Sequence, residues 1–133
     1  MAGKIPKAEG FQTLRLPPHR YPCGFCGVTS LSGGRWRAQS AARAAAVVAR
    51  LVESFRVDSV ELYDNNFFVS EERAAEFAEM VRGLVVGWWG EARIDSLLAY
   101  REATWRLLAA SGLRMVFVGA ESGSDATLQR MGK

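Results

Sequence analysis

Histidine is almost missing from this chain: His19 is the single one in 133 residues, and cysteine occurs only twice, at Cys23 and Cys26. Two cysteines this close in sequence make a poor disulfide framework, so their C-x-x-C spacing points instead to metal binding or redox chemistry. Long apolar runs are missing as well. The longest pieces, such as residues 84–86 with Trp88 and Trp89, are broken by Gly87 and Gly90, and none reads as a membrane span. The opening residues, MAGKIPKAEG, have no apolar signal region, so export is not expected and the cytoplasm is the expected location. Charge of one sign is also in short supply. The net charge is +3, and Arg35, Arg37, Arg43, Arg50 and Arg56 are scattered rather than clustered, so no nucleic-acid surface is expected.

What is present suits a single globular domain, with 49% apolar and 23% charged residues. Residues 1–10 read as a polar tail and residues 11–133 as one folded core. FQTLRL (11–16) alternates apolar and polar residues, as a strand does, and Pro17 and Pro18 end it. The loop with His19, Cys23 and Cys26 follows. Ser40 is an N-cap for a helix running to Phe55, with Ala45, Val48, Leu51, Val52 and Phe55 on one apolar face. SVELYD (59–64) is a second strand, followed by a polar DNN turn. Ser70 caps a second helix, which has Glu71 and Glu72 in its positive first turn and a stripe of Ala74, Phe77, Val81 and Leu84. GWWGEAR (87–93) is a third strand, on which Trp88 and Trp89 face opposite ways. A third helix begins at Asp95 or Ser96 and stops at Gly112. RMVFVGAES (114–122) is a fourth strand, apolar enough to be covered on both faces, and Ser124 opens a last short helix.

Strand and helix thus alternate four times through connections too long for hairpins. This implies a parallel β/α architecture, either an open sheet or part of a barrel. Each polar cluster falls at the carboxyl end of a strand: Cys23 and Cys26 after the first, Asp64, Asn65 and Asn66 after the second, Glu91 and Arg93 after the third, Glu121 and Ser122 after the fourth. Ligand sites of β/α proteins lie at that rim.

The ordered set of a cysteine loop, YDNNFFV, GEARID and VGAESGSDATLQRMGK closely resembles the radical S-adenosylmethionine (SAM) superfamily, especially the branch that often has an N-terminal cobalamin-binding domain. The likeness runs from about Leu14 to Lys133. It implies a partial parallel (β/α) barrel of about four β/α units, lacking its last strands, since a full eight-stranded barrel takes about 250 residues. In that family a C-x-x-x-C-x-x-C loop binds three irons of a [4Fe–4S] cluster, and the fourth iron takes the amino and carboxylate groups of SAM. Cys23 and Cys26 match the second and third ligands, and Phe25 the aromatic residue beside the adenine. His19 stands where the first cysteine belongs. The resemblance places Asp64, Asn65 and Asn66 near the methionyl amino group, with Glu91, Arg93, Glu121 and Ser122 lining the rest of the SAM site. A reduced cluster splits SAM into methionine and a 5′-deoxyadenosyl radical, so a reductant such as flavodoxin or ferredoxin and a small-molecule substrate are implied. No cobalamin-binding motif occurs in the chain, although relatives of that branch use cobalamin.

Other readings of the same residues stay open. His19, Cys23 and Cys26 would also make a Cys₂His zinc site with an open position. A remnant that keeps the fold without the cluster would likewise lack the first cysteine. Asp64, Asn65 and Asn66 suit a plain strand-to-helix turn, and Glu91 and Glu121 suit ion pairs with Arg93 or Arg114. The tryptophans, Trp36, Trp88, Trp89 and Trp105, are expected to pack rather than bind.

Overall fold

The structure is a computed structural model and describes residues 11–14, 26–27 and 36–133. His19, Cys23, Phe25 and the polar tail at residues 1–10 lie outside the described residues. Those described fall into two compact units, one running from Ser40 to Gly119, the other made of the described residues up to Gln39 together with Ala120–Lys133.

The larger unit is a mixed α/β layer built on a three-stranded parallel sheet. Strands β3 (Ser59–Leu62), β4 (Gly87–Ala92) and β5 (Leu113–Val118) lie in that order. Leu62 pairs with Gly90, and Ala92 with Val118, so the carboxyl ends of the strands share one edge of the layer. Helix α1 (Ala41–Phe55) precedes β3, and α2 (Glu71–Val81) joins β3 to β4. Two short helices, α3 (Ile94–Leu98) and α4 (Glu102–Ala110), join β4 to β5.

Burial follows the strand period. Trp88, Gly90 and Ala92 are buried, whereas Trp89 is half-buried and Glu91 is exposed. The core on the Trp88 side takes Ala41, Ala45 and Val48 from α1, Ala74, Phe77, Ala78 and Val81 from α2, and Leu108 from α4. Phe67 and Phe68, in a 3₁₀ turn over Phe67–Val69, fill its centre. Phe77 stands edge-on to Trp88 at 5.1 Å, and Phe68 stacks on Trp88 at 6.1 Å. The Trp88 indole N–H donates to the carbonyl oxygen and the hydroxyl of Ser111 at 3.2 and 3.1 Å, so the one polar atom of this buried ring is satisfied.

The serines read as caps do cap. Ser40 Oγ accepts from the Arg43 N–H at 3.2 Å and Ser70 Oγ from the Arg73 N–H at 3.2 Å. In the second unit, Ser124 Oγ accepts from the Thr127 N–H at 3.4 Å and starts α5 (Asp125–Met131). The same unit holds β1 (Phe11–Leu14) paired antiparallel with β2 (Trp36–Gln39).

Four expectations change. The first strand, described over Phe11–Leu14, pairs antiparallel with a strand the pattern did not reveal: WRAQ has only four residues and sits directly before a helix cap. The third helix is two helices, because Arg101 leaves the helical region (φ −70°, ψ 148°) and gives its N–H to Glu71 instead of a helical carbonyl. Phe55 is 70% exposed although it continues the apolar face of α1, since burial fades from Val48 through half-buried Leu51 and Val52. Strand β5 is not covered on both faces: Met115 and Phe117 are exposed. Among the described residues, no helix is long and apolar enough to cross a membrane.

Candidate functional site

The carboxyl edge of the parallel sheet is where the candidate residues of the larger unit gather. After β3 the chain turns sharply, with the Asp64 N–H bonded to the Leu62 carbonyl at 2.8 Å. Asp64 Oδ1 then accepts the Asn66 N–H at 3.2 Å, an aspartate-mediated turn of the kind these residues favour. Asn65 points outward and is exposed, whereas Asn66 is only 8% exposed. The Asn66 side-chain oxygen is fully buried and has no hydrogen-bond partner among the described residues. A buried carbonyl left so is costly, and native structures contain few of them.

Arg73, from the first turns of α2, supports this turn from below. Its side chain is 4% exposed and its Nη2 lies 3.7 Å from Asp64 Oδ2. Nη1 donates to the Phe67 carbonyl at 3.1 Å, and the guanidinium stands 4.5 Å from the centre of the Phe67 ring. Burial lowers the Arg73 pKa from its ordinary value, and the Asp64 charge opposes that shift. A second polar cluster sits behind it. The Thr104 hydroxyl, the Arg101 N–H and the Arg101 guanidinium converge on Glu71 Oε1. These bonds, the Thr104 hydroxyl foremost, hold the Glu71 carboxyl below its usual range. Tyr100 donates from its hydroxyl to the Phe68 carbonyl at 3.0 Å, and burial pushes its pKa up.

At the end of β4, Glu91 is exposed, and Arg93 forks onto Asp95 with bonds of 3.1 and 3.2 Å. In the second unit, Glu121 adopts a left-handed backbone (φ 59°) and pairs with the Lys133 ammonium at 2.8 Å, while Ser122 Oγ accepts the Ser124 N–H at 3.1 Å. Cys26 is a free, half-buried thiol. Its companions His19, Cys23 and Phe25 lie outside the described residues. Among the described residues, no three His, Cys, Asp or Glu side chains group as a metal site.

The donor set suits the groups that the sequence implies. Cys26 offers a soft sulfur, on a half-buried residue, of the type that ligates iron–sulfur clusters. The Asn66 oxygen and the Asp64 and Glu91 carboxylates are acceptors, as an amino-acid ammonium requires. Sequence reasoning missed Arg73, Glu71 and Tyr100 as parts of this region. The signal for Arg73 was present: it stands four residues before Phe77, on the apolar stripe of α2, where an unpaired arginine would be expensive. Compared with known proteins, the chain matches no family model, no curated protein and no solved structure.

Proposed function

We propose that this chain is a radical SAM core of partial (β/α)-barrel form, in which Cys23, Cys26 and His19 hold a [4Fe–4S] cluster and the rim residues hold SAM. The supporting observation is the parallel order β3-β4-β5, which brings the Asp64–Asn66 turn and the Glu91–Arg93 segment to the same end of one sheet. When bound and reduced, the cluster supplies the electron that cleaves the SAM sulfonium and yields a 5′-deoxyadenosyl radical. In this reading the turn of Asp64, Asn65 and Asn66 lies near the methionyl ammonium. Phe25 lies against the adenine, and Glu91, Arg93, Glu121 and Ser122 line the remainder. A flavodoxin- or ferredoxin-type protein is the proposed electron source. The substrate is a small molecule, and nothing in the chain supports a role for cobalamin.

His19 decides how well the site works. Neutral imidazole in place of a thiolate removes one negative charge and raises the reduction potential. Two such replacements separate Rieske centres from plant-type ferredoxins by several hundred millivolts, so one is worth about 200 mV. At about 59 mV per decade for one electron, transfer becomes roughly a thousandfold less favourable. The expected behaviour is a labile cluster and slow SAM cleavage in the native chain. His19→Cys is expected to give higher iron content, a lower potential and faster 5′-deoxyadenosine formation. The test is anaerobic reconstitution of both proteins, followed by iron counting, EPR and product assay with dithionite. Equal or better performance by the native protein overturns the charge argument. Failure of both proteins to hold iron supports the remnant, and zinc in its place supports the zinc site.

A further inference from the structure

The buried amide oxygen of Asn66 and the buried guanidinium of Arg73 are the two features of the larger unit that packing alone leaves unexplained. Arginine seldom enters a core unless each of its donors is used. Here its Nη1 fixes the Phe67 carbonyl at 3.1 Å, its charge faces Asp64 Oδ2 at 3.7 Å, and its plane covers the Phe67 ring at 4.5 Å. Asp64, so held, fixes the Asn66 N–H at 3.2 Å through its other oxygen. One residue of α2 therefore sets the geometry of the whole turn from Asp64 to Phe67. The product of that geometry is an amide oxygen withdrawn from water and without a partner among the described residues.

Resting on the SAM reading above, we infer that Arg73 is a positioning residue: it holds the turn after β3 so that Asn66 Oδ1 stays buried and free to accept a hydrogen bond from the ligand's ammonium group. A carbonyl oxygen can only accept, so the group it meets must donate. Asp64 is already engaged by Arg73 and by the Asn66 N–H, which leaves the Asn66 oxygen as the fixed, desolvated acceptor of the turn. Being held in place before the ligand arrives, it loses little freedom on binding.

The two residues make different demands on the fold, and the test uses that difference. Asn66→Leu keeps the approximate size of the side chain and removes a buried unsatisfied atom, so stability should hold or rise. SAM binding should fall tenfold or more. Arg73→Met should weaken SAM binding by a similar factor and speed hydrogen exchange of the Asn66 N–H by tenfold or more. Arg73→Lys keeps the charge but cannot reach both Asp64 and the Phe67 carbonyl, so partial rescue is expected, and this variant serves if Arg73→Met does not fold. The measurements are equilibrium dialysis of labelled SAM against anaerobically reconstituted protein, thermal melting, and amide exchange by NMR without SAM. Native binding that survives Asn66→Leu and the Arg73 substitutions overturns the inference and leaves the SAM reading standing. A large drop in the melting temperature of Asn66→Leu with SAM affinity unchanged makes that oxygen structural and overturns it too. A native protein that binds no SAM overturns the reading and the inference together.

Discussion

Glu71 shows how much one side chain can organise beyond its own helix. It lies in the first turn of α2, where a negative charge is favourable, yet its carboxylate serves residues about thirty positions further along the chain. It accepts from the Arg101 N–H at 3.0 Å, from Arg101 Nε at 3.1 Å and from the Thr104 hydroxyl, and so caps α4 from a different element. Those bonds favour the charged form and lower its pKa. The sign of the pH effect follows. A carboxylate with a lowered folded pKa contributes its full stabilisation above the ordinary carboxylate range, and loses it as pH falls through that range to the lowered value. The stability gap between the native chain and Glu71→Gln should therefore be widest at neutral pH and should close in acid. Urea unfolding of both proteins at neutral pH and at pH values below the carboxylate range measures it. A gap of constant size would mean that the charge on Glu71 does not matter.

At the scale of elements, what was legible in the sequence was what depends on neighbours in sequence. The three serine caps, the α2 stripe of Ala74, Phe77 and Val81 and the opposite facing of Trp88 and Trp89 are local patterns, and each one is realised, whereas Leu84, read as the end of that stripe, lies past the end of the helix and is half-buried. What was not legible depends on partners far along the chain. The break between α3 and α4 exists because the Arg101 N–H finds Glu71 and the Tyr100 hydroxyl finds the Phe68 carbonyl. No periodicity within residues 94–112 contains that information. The site divides the same way: the turn-forming character of Asp64 could be read from its type, whereas the burial of Asn66 and the reach of Arg73 could not. Gly112 was visible as a helix stop, and the structure adds the reason for glycine. It enters β5 at φ +100°, and a side chain there would collide with the Val86 carbonyl oxygen, beside the buried Trp88 ring. Its own carbonyl accepts the Trp88 N–H at 2.9 Å, so the backbone has little room to retreat. Gly112→Ala should thus destabilise the fold by at least about 2 kcal/mol, the sum of left-handed backbone strain and local overpacking. Denaturant unfolding should show a lower midpoint with an unchanged slope. An unchanged midpoint would show that the α4–β5 corner yields easily.

At the scale of the larger unit, the described residues pack one face of the parallel sheet, and the other face has exposed apolar side chains. The core lies on the Trp88 side, whereas Trp89 and Phe117 meet at 5.5 Å on the opposite side, with Phe117 55% and Met115 44% exposed. Parallel sheets are found almost only with both faces covered, so the apolar character of β5, read from the sequence as burial, marks a surface rather than a core. β5 is also the last strand of its sheet, and no described strand pairs with its outer side. An edge of this kind has unpaired N–H and C=O groups, has no proline, and has one charge, Arg114, in its six residues. It offers a template for another chain: proline is missing from its six residues, and its one irregularity is the register shift at Arg114, near its start. Strand β3, at the other edge, includes Glu61 and follows Asp58, so copies meeting there would oppose like charges. Self-association should consequently proceed through β5, with a second copy extending the sheet and bringing its own Met115 and Phe117 onto the open face. Sedimentation velocity over a concentration series should show a reversible shift to larger species. Met115→Lys combined with Phe117→Lys, which places charge on the exposed face of the strand and leaves the Trp88 side as it is, should return the chain to monomer with its melting temperature nearly unchanged. A native chain that stays sharply monomeric and melts cooperatively across the series would mean that β5 is protected by something other than its own residues.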